Sequence, residues 1–406
     1  MSEAEDTMRG QNIICFAKDW NEDPTSCNHV LNELAKHNKV LWLNSISTRA
    51  PSLTSGRDLS KIRKKLAAFF AGAKQAEENL WVYTPLVLPL HHKKWAVSVN
   101  RVWLRFTLKR LARQLGMKEY QLWTFVPTSS EYVGSLGESL LVYYCTDNWS
   151  AFKSVDGTLI GSMVNTLAKK ADVVFATSHS LVETLRPNNP NAHLAAHGVP
   201  YAQFATALSE TLVVPEDMAS LPGKVIGYYG LIEEWLDLDL IGFLAERHPE
   251  WSIALIGAKR VDTSPLDKYS NVHFLGRKPH AELPAYCKGM SVGLIPHHVN
   301  ELTRHMNPIK LREYLSTGLP VVSVALPEVA YYGDLCSVAS TYEAFEQGIV
   351  DALATETPET RRLRSERMRS ETWESKVADL SRIVLETQKR KATSREAGGR
   401  AVGVEG

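Results

Sequence analysis

Short apolar runs alternate with stretches whose apolar residues recur every three or four positions, and this alternation continues along most of the chain. QNIICFAK (11–18) reads as a strand, and HVLNELAKHNKVLWLNS (29–45) as a helix running into a second strand. EYQLWTFVP, SLLVYYC and ADVVFATS (119–127, 139–145 and 171–178) are further strands. Helices are expected at 158–170 and 178–185, and AHLAAHGVP (192–200) closes the series as strand and turn. The pattern restarts at KVIGYYG (224–230), followed by LIEEWLDLDLIGFLAERHP as a helix apolar on more than one face. WSIALIGAK, NVHFLGRKPH and MSVGLIPHH then read as strands, and AELPAYCKG as a helix. Strands alternating with helices in both halves predict an α/β protein of two doubly wound parallel-sheet domains. The expected boundaries are 1–200, a weakly periodic linker at 201–222, a second domain at 223–370, a helix at 371–390 and a disordered polar tail at 391–406.

The most sharply punctuated stretch is HMNPIKLREYLSTGLPVVSVA (305–325). Asn307 is a good N-cap and Pro308 suits the first helical position, where its missing N–H is not needed. Leu311 and Leu315 share one face, while Lys310 and Glu313 project together on another. Gly318 can take the left-handed conformation that ends a helix, Pro320 prevents resumption, and Val321, Val322 and Val324 form a core strand. Periodicity alone leaves Lys310 and Glu313 readable either as a surface ion pair or as functional groups.

Composition narrows the class. At 406 residues and 44% hydrophobic content the chain can build two cores. Its 46 Lys and Arg against 45 Asp and Glu give no global pull toward nucleic acid. Five scattered cysteines without a CxxC pair argue against a disulfide framework or a zinc site and fit a reducing cytoplasm. The acidic amino terminus resembles no signal peptide, and the longest apolar run, 80–90, is interrupted by Pro85 and Pro89, too short for a membrane span.

One region departs from this balance. KIRKKLAAFF (61–70) and HHKKWAVSVNRVWLRFTLKRLARQLGMK (91–118) are dense in Lys and Arg, with Trp95, Trp103 and Phe106 between them, and no Asp or Glu lies between Asn79 and Lys118. Such a helix can rest on anionic headgroups, giving a peripheral membrane contact through 91–118. It can equally place its aromatics in the core and leave a solvated basic face. No recognition motif accompanies it that would suit nucleic acid.

Candidate chemistry sits where α/β sheets place ligands, beyond the carboxyl ends of strands. Asp19, Trp20 and His29 follow the first strand and are acceptor-side candidates. Asp147, delivered by SLLVYYC, is a candidate general base or a helix cap. The turn from Gly227 to Gly230 can bring backbone amides to a phosphate, although its spacing is not GxGxxG. Asp237-Leu-Asp239 superficially resembles a metal-binding DxD, but it falls inside the expected helix, and no metal is assigned.

Taken in order, AHGVP with Phe204 downstream, IGYYGLIEEWLDLDLI, VHFLGRKPHAELPAY, SVGLIPHH and above all NPIKLREYLSTGLPVVS resemble the nucleotide-sugar-dependent glycosyltransferases of GT-B architecture. The likeness is to the bacterial group 1 enzymes of exopolysaccharide and cell-wall polymer synthesis, and it covers most of the chain. It implies two Rossmann-like domains facing a cleft, the second holding a nucleotide diphosphate-sugar co-substrate (UDP or GDP) and the first a saccharide or lipid-linked acceptor. No further cofactor is implied. By the resemblance, Glu313 accepts from the ribose hydroxyls, Lys310 and Pro308 lie by the diphosphate with Gly230, and Gly276 and Arg277 lie against the base. Asp147 becomes the base that activates the acceptor if the enzyme inverts. Many relatives carry a second glutamate eight positions before the ribose one, but here that position is His305. Relatives also often carry Arg and Lys after the first strand of the second domain, where this chain has Ile232-Glu233-Glu234. Arg304, His305, Met306 and Asn307 are therefore candidates for donor-sugar or phosphate contacts, with Lys259 a weaker one. Two rival functions fit the same residues: a nucleotide-sugar epimerase and a non-catalytic sugar-nucleotide-binding assembly protein.

Overall fold

In the computed structural model, which describes residues 7–22, 24–46, 67, 69–88, 90, 93–153 and 155–402, the chain divides into two compact units. One comprises 1–196 with 376–406 and the other 197–375. Most of the basic stretch 61–70 and His91 and His92 lie outside the described residues.

The first unit is built on eight strands: β1 (Asn12–Phe16), β2 (Lys39–Leu43), β3 (Lys74–Glu77), β4 (Leu80–Tyr83), β5 (Gln121–Thr124), β6 (Leu140–Cys145), β7 (Val173–Ala176) and β8 (Ala192–Leu194). Their order is β3-β4-β2-β1-β5-β6-β7-β8, and every pairing is parallel except β3 with β4. The central strands are buried along their length, which is why they read as continuous apolar runs. The β3–β4 hairpin was not foreseen. KQAE in β3 is exposed throughout and ends the sheet with a polar, charged edge. Helices α1 (Ser26–Ala35), α2 (Lys94–Gln114), α3 (Gly157–Lys170) and α4 (His179–Leu185) connect the strands.

The second unit has six strands: β9 (Lys224–Tyr229), β10 (Trp251–Ile256), β11 (Val272–Gly276), β12 (Val292–Ile295), β13 (Val321–Val324) and β14 (Ser337–Ala339). They are all parallel, in the order β11-β10-β9-β12-β13-β14. The chain winds outward in one direction from β9 and in the other from β12. The switch point of the sheet therefore lies between these two strands, and the loops leaving them are the expected ligand position. Helices α5 (Leu238–Arg247), α6 (Leu283–Gly289), α7 (Ile309–Ser316), α8 (Tyr342–Thr355), α9 (Pro358–Arg367) and α10 (Trp373–Val402) complete the second half of the chain.

Three local expectations are corrected. The helix expected from Leu231 starts only at Leu238, because the Asp237 carboxylate accepts the N–H of Leu240 and caps it. The preceding residues instead form isolated bridges from Ile232 to Lys259 and from Leu236 to His297, so Asp237 is a cap rather than a mid-helix residue. The segment 201–222 belongs to the second unit, with Phe204 and Met218 buried in its core. The chain beyond Lys391 is helical to Val402 rather than irregular. Lys391 pairs with Asp172 at 2.5 Å and Arg390 bonds Asn191, which ties this polar helix to the first unit.

Candidate functional site

The site grows from α7. Its N-cap position is Pro308, not Asn307. The Asn307 side chain is drawn elsewhere, its Oδ1 accepting from Arg312 Nη1 at 2.7 Å. Arg312 is 2% exposed, so its charge demands partners. Besides Asn307 it has Glu371 at 3.5 Å and the Tyr332 ring at 5.0 Å.

One residue on, Glu313 is also 2% exposed. Its Oε2 accepts from the Tyr229 hydroxyl at 2.6 Å, and Oε1 pairs with His280 Nε2 at 2.8 Å. Charge-assisted hydrogen bonds of this kind contribute about 1.5–3 kcal/mol each and offset the cost of burying a carboxylate. Tyr229 is itself fixed, its backbone N–H donating to the Tyr314 hydroxyl at 2.9 Å and its ring packing edge-on against Tyr314. The hydrogen bond to Glu313 holds His280 above the ordinary histidine range, against a smaller opposing effect of burial. Burial, reinforced by the Glu313 charge, pushes the Tyr229 phenol well up. A carboxylate offers roughly four acceptor positions, so two remain for hydroxyls. Of its two partners, His280 is the one with solvent contact, its side chain 30% exposed.

Lys310 lies one turn back on α7, its Nζ 5.1 Å from the centre of the Tyr228 ring. Burial pulls the ammonium down to about 8, with the Glu313 charge opposing. Gly230 ends β9 against it: at φ +137, a Cβ there would come within 3.3 Å of Lys310 Cε. Gly257, at φ +158, lies so close that a Cβ would overlap the Gly230 carbonyl oxygen. The loops leaving β9 and β10 therefore pass each other backbone to backbone, an approach that only glycine permits. Beside Lys310, His297 is 1% exposed and packs edge-on to Tyr228, with no hydrogen-bond partner on either ring nitrogen among the described residues. Burial, then the Lys310 charge, pushes it well below the usual histidine range.

Gly230, Lys310 and Glu313 are thus brought together. Gly276 ends β11 at φ +70, and Arg277 is exposed beside it, in the loop that carries His280. Arg304 is exposed, Met306 is partly buried, and His305 Nε2 lies 3.2 Å from Glu301. Lys259 is stacked with its Nζ 3.4 Å from the centre of the Phe274 ring. In the first unit Asp147 follows β6. Burial raises its carboxyl above the ordinary range and a hydrogen bond from Thr146 opposes this. Asp19 Oδ1 accepts from both the N–H and the hydroxyl of Ser45, so it fastens a loop. Trp20 packs edge-on against Trp42 at 5.1 Å, and His29 is half-buried in α1. Sequence reasoning missed Tyr228, Tyr229, His280 and His297 as site residues. Their signals were the YY of KVIGYYG and the histidines closing GRKPH and PHH. Among the described residues no group of three or more His, Cys, Asp or Glu is gathered to hold a metal ion.

No family model matches the chain. It is 28% identical over 209 residues to TuaH of Bacillus subtilis (strain 168), a protein inferred to be a teichuronic acid biosynthesis glycosyltransferase. That match covers 47% of this chain, and the chain spans about half (51%) of the length of that relative. Solved structures align over nearly all of it at low identity. A UDP-forming trehalose-phosphate synthase from Burkholderia xenovorans matches with TM-score 0.64 and 13% identity over 94% of this chain and 99% of that one. Sucrose-phosphate synthase from Thermosynechococcus elongatus gives 0.62 and 13% over 96% and 100%. Anabaena HepE, solved with UDP and glucose, gives 0.55 and 13% over 95% and 99%. The chain has the fold of the GT-B glycosyltransferases, with a Rossmann-like parallel sheet in each half.

Proposed function

We propose that the protein transfers a sugar from a nucleotide diphosphate donor, UDP or GDP, to a saccharide or lipid-linked acceptor during polysaccharide synthesis. The observation that carries this is the placement of buried Glu313 and half-buried Lys310 on one helix, against the Gly230 turn at the switch point of the second sheet. A ribose diol is well matched by a carboxylate with unused acceptor positions, and a departing diphosphate needs a cation where negative charge develops. Lys310 supplies that cation in a site of reduced polarity. Gly276 and Arg277 border the base, and Pro308 with residues 304–307 borders the donor sugar and phosphates. If transfer inverts the sugar, Asp147 takes the proton of the acceptor hydroxyl, a role that suits a carboxyl group whose proton affinity is raised by burial. The reaction takes place at the cytoplasmic face of a membrane, where the protein is held peripherally through 91–118. Among the described residues no helix is long and apolar enough to cross a membrane. TuaH and HepE, as described above, support the reading.

Transfer of labelled sugar from UDP- and GDP-sugars to extracted lipid-linked acceptors tests it. Wild type is expected to transfer, and Asp147→Asn to lose roughly two to four orders of magnitude in turnover with donor affinity unchanged. Release of an epimerised or eliminated sugar without acceptor would assign the rival epimerase activity instead.

A further inference from the structure

Helix α2 has two apolar faces, and among the described residues only one of them is covered. Ala96, Val97, Asn100, Leu104, Leu108, Leu111 and Ala112 face the core of the first unit. Asn100 pins the helix there, its side chain accepting from the Leu88 N–H and donating to the Leu88 carbonyl and the Tyr132 hydroxyl. Trp95, Val99, Val102, Trp103 and Phe106 are 59, 50, 70, 43 and 62% exposed. At about 100° per residue these five centre on the side opposite the buried face. A solvated helix turns polar residues outward, so this stripe is not explained by folding. Phe70, 80% exposed, extends it, since Phe69 packs against both Phe70 and Trp103.

The surroundings of the stripe are cationic. Lys93, Lys94, Arg105, Lys109, Arg110 and Arg113 are exposed on or just before the helix, and no carboxylate occurs between residues 79 and 118. Arg101 is different: its guanidinium donates to the Glu131 carbonyl and braces the helix against the segment that follows β5.

We propose that α2 is an interfacial membrane helix whose outer stripe inserts between lipids while its flanking cations contact anionic headgroups. An aromatic and aliphatic stripe among cations is complementary to an anionic bilayer surface, where rings sit at the headgroup level and Lys and Arg extend to phosphates. This deepens the membrane contact of the transferase reading by stating how contact is made: insertion anchors the protein and charge draws it in. The attachment therefore keeps a salt-resistant part, which charge alone does not give.

The test is sedimentation of the full chain with vesicles of phosphatidylglycerol and phosphatidylcholine, and of phosphatidylcholine alone, at low and high salt, without donor or acceptor. Wild type is expected to bind the anionic vesicles and to retain part of that binding at high salt. The triple substitution Trp95→Ser, Val102→Ser, Phe106→Ser is expected to weaken binding by about tenfold or more at both salts. Arg105→Ser with Lys109→Ser and Arg113→Ser is expected to weaken it by roughly a hundredfold at low salt, at about fivefold per cation. Brominated lipids are expected to quench tryptophan fluorescence in wild type and less in Trp95→Phe, Trp103→Phe. Melting and circular dichroism identify any variant that misfolds, and Phe106→Ser alone then replaces the triple. Failure of wild type to bind, or binding abolished by salt and indifferent to the apolar substitutions, overturns the proposal. So does an apolar variant that alters self-association and leaves vesicle binding unchanged, which would make the stripe an interface between copies. Glu313→Ala is expected to bind vesicles as wild type does, so failure here is separable from failure of the transferase reading.

Discussion

Helices α7 and α2 invert the usual pattern in opposite senses. On α7, Arg312, Glu313 and Ser316 are buried beside Leu311, Tyr314 and Leu315, whereas on α2 large apolar side chains point at water opposite a properly buried face. The contrast teaches that polarity and burial come apart where a surface has a second task. Burying ions on α7 costs desolvation that is offset only because each has a named partner. Exposing rings on α2 forgoes burial that each ring would otherwise contribute.

Changes on the two helices should separate stability from binding. The largest expected loss of stability is from Arg312→Ala, about 3–5 kcal/mol by urea unfolding, because it removes a buried guanidinium and breaks its pairing with Glu371 and Asn307. An effect under about 1 kcal/mol would make α7 as tolerant as a surface helix. Next, Lys310→Met should weaken donor binding by roughly ten- to a hundredfold, through loss of a charge-assisted contact to phosphate. The stability of the free protein should hold or rise, since its ammonium is disfavoured by burial. In wild type, donor affinity should fall as pH rises through about 8 and Lys310 loses its proton, and this limb should vanish in the variant. By contrast, Phe106→Ser on α2 should change stability by no more than about 0.5 kcal/mol, because the ring is 62% exposed.

A pH-dependent effect belongs to His280. Its folded value is raised by Glu313, so its pairing contributes stability that is full below the unfolded histidine value, about 6.5, and is lost as pH rises through the folded one. His280→Ala should flatten the stability profile in that window, as measured by unfolding at a series of pH values. A profile unchanged from wild type would remove His280 from the Glu313 pair.

Much of the fold was legible because its strands are buried on both faces and its helices are periodic. Apolar runs such as SLLVYYC and KVIGYYG admit few other readings in a chain that alternates strand and helix. What escaped was decided by side chains far apart in sequence. Asn307 has every local mark of a cap, yet Arg312 claims its oxygen. The stretch from Leu231 looks helical until Asp237 caps at the sixth residue after it. In the candidate site, the spacing of Lys310 and Glu313 on one helix left a surface ion pair equally open, and only the family resemblance singled them out. Tyr229 and His280 reach Glu313 from 84 and 33 residues away, and nothing local signals that pairing. The basic helix was legible as basic, but which way its aromatics face depends on Asn100 and Leu104 being drawn inward.

The central claim is that helix α7, with buried Glu313 and Lys310 beside it, holds a donor nucleotide. Calorimetric titration of UDP-, GDP-, ADP- and dTDP-sugars into wild type and Glu313→Ala tests it most directly. A UDP- or GDP-sugar is expected to bind wild type, and Glu313→Ala to bind it at least about tenfold more weakly while folding normally. Tight binding that the substitution leaves unaltered would contradict the assignment of Glu313 to the ribose.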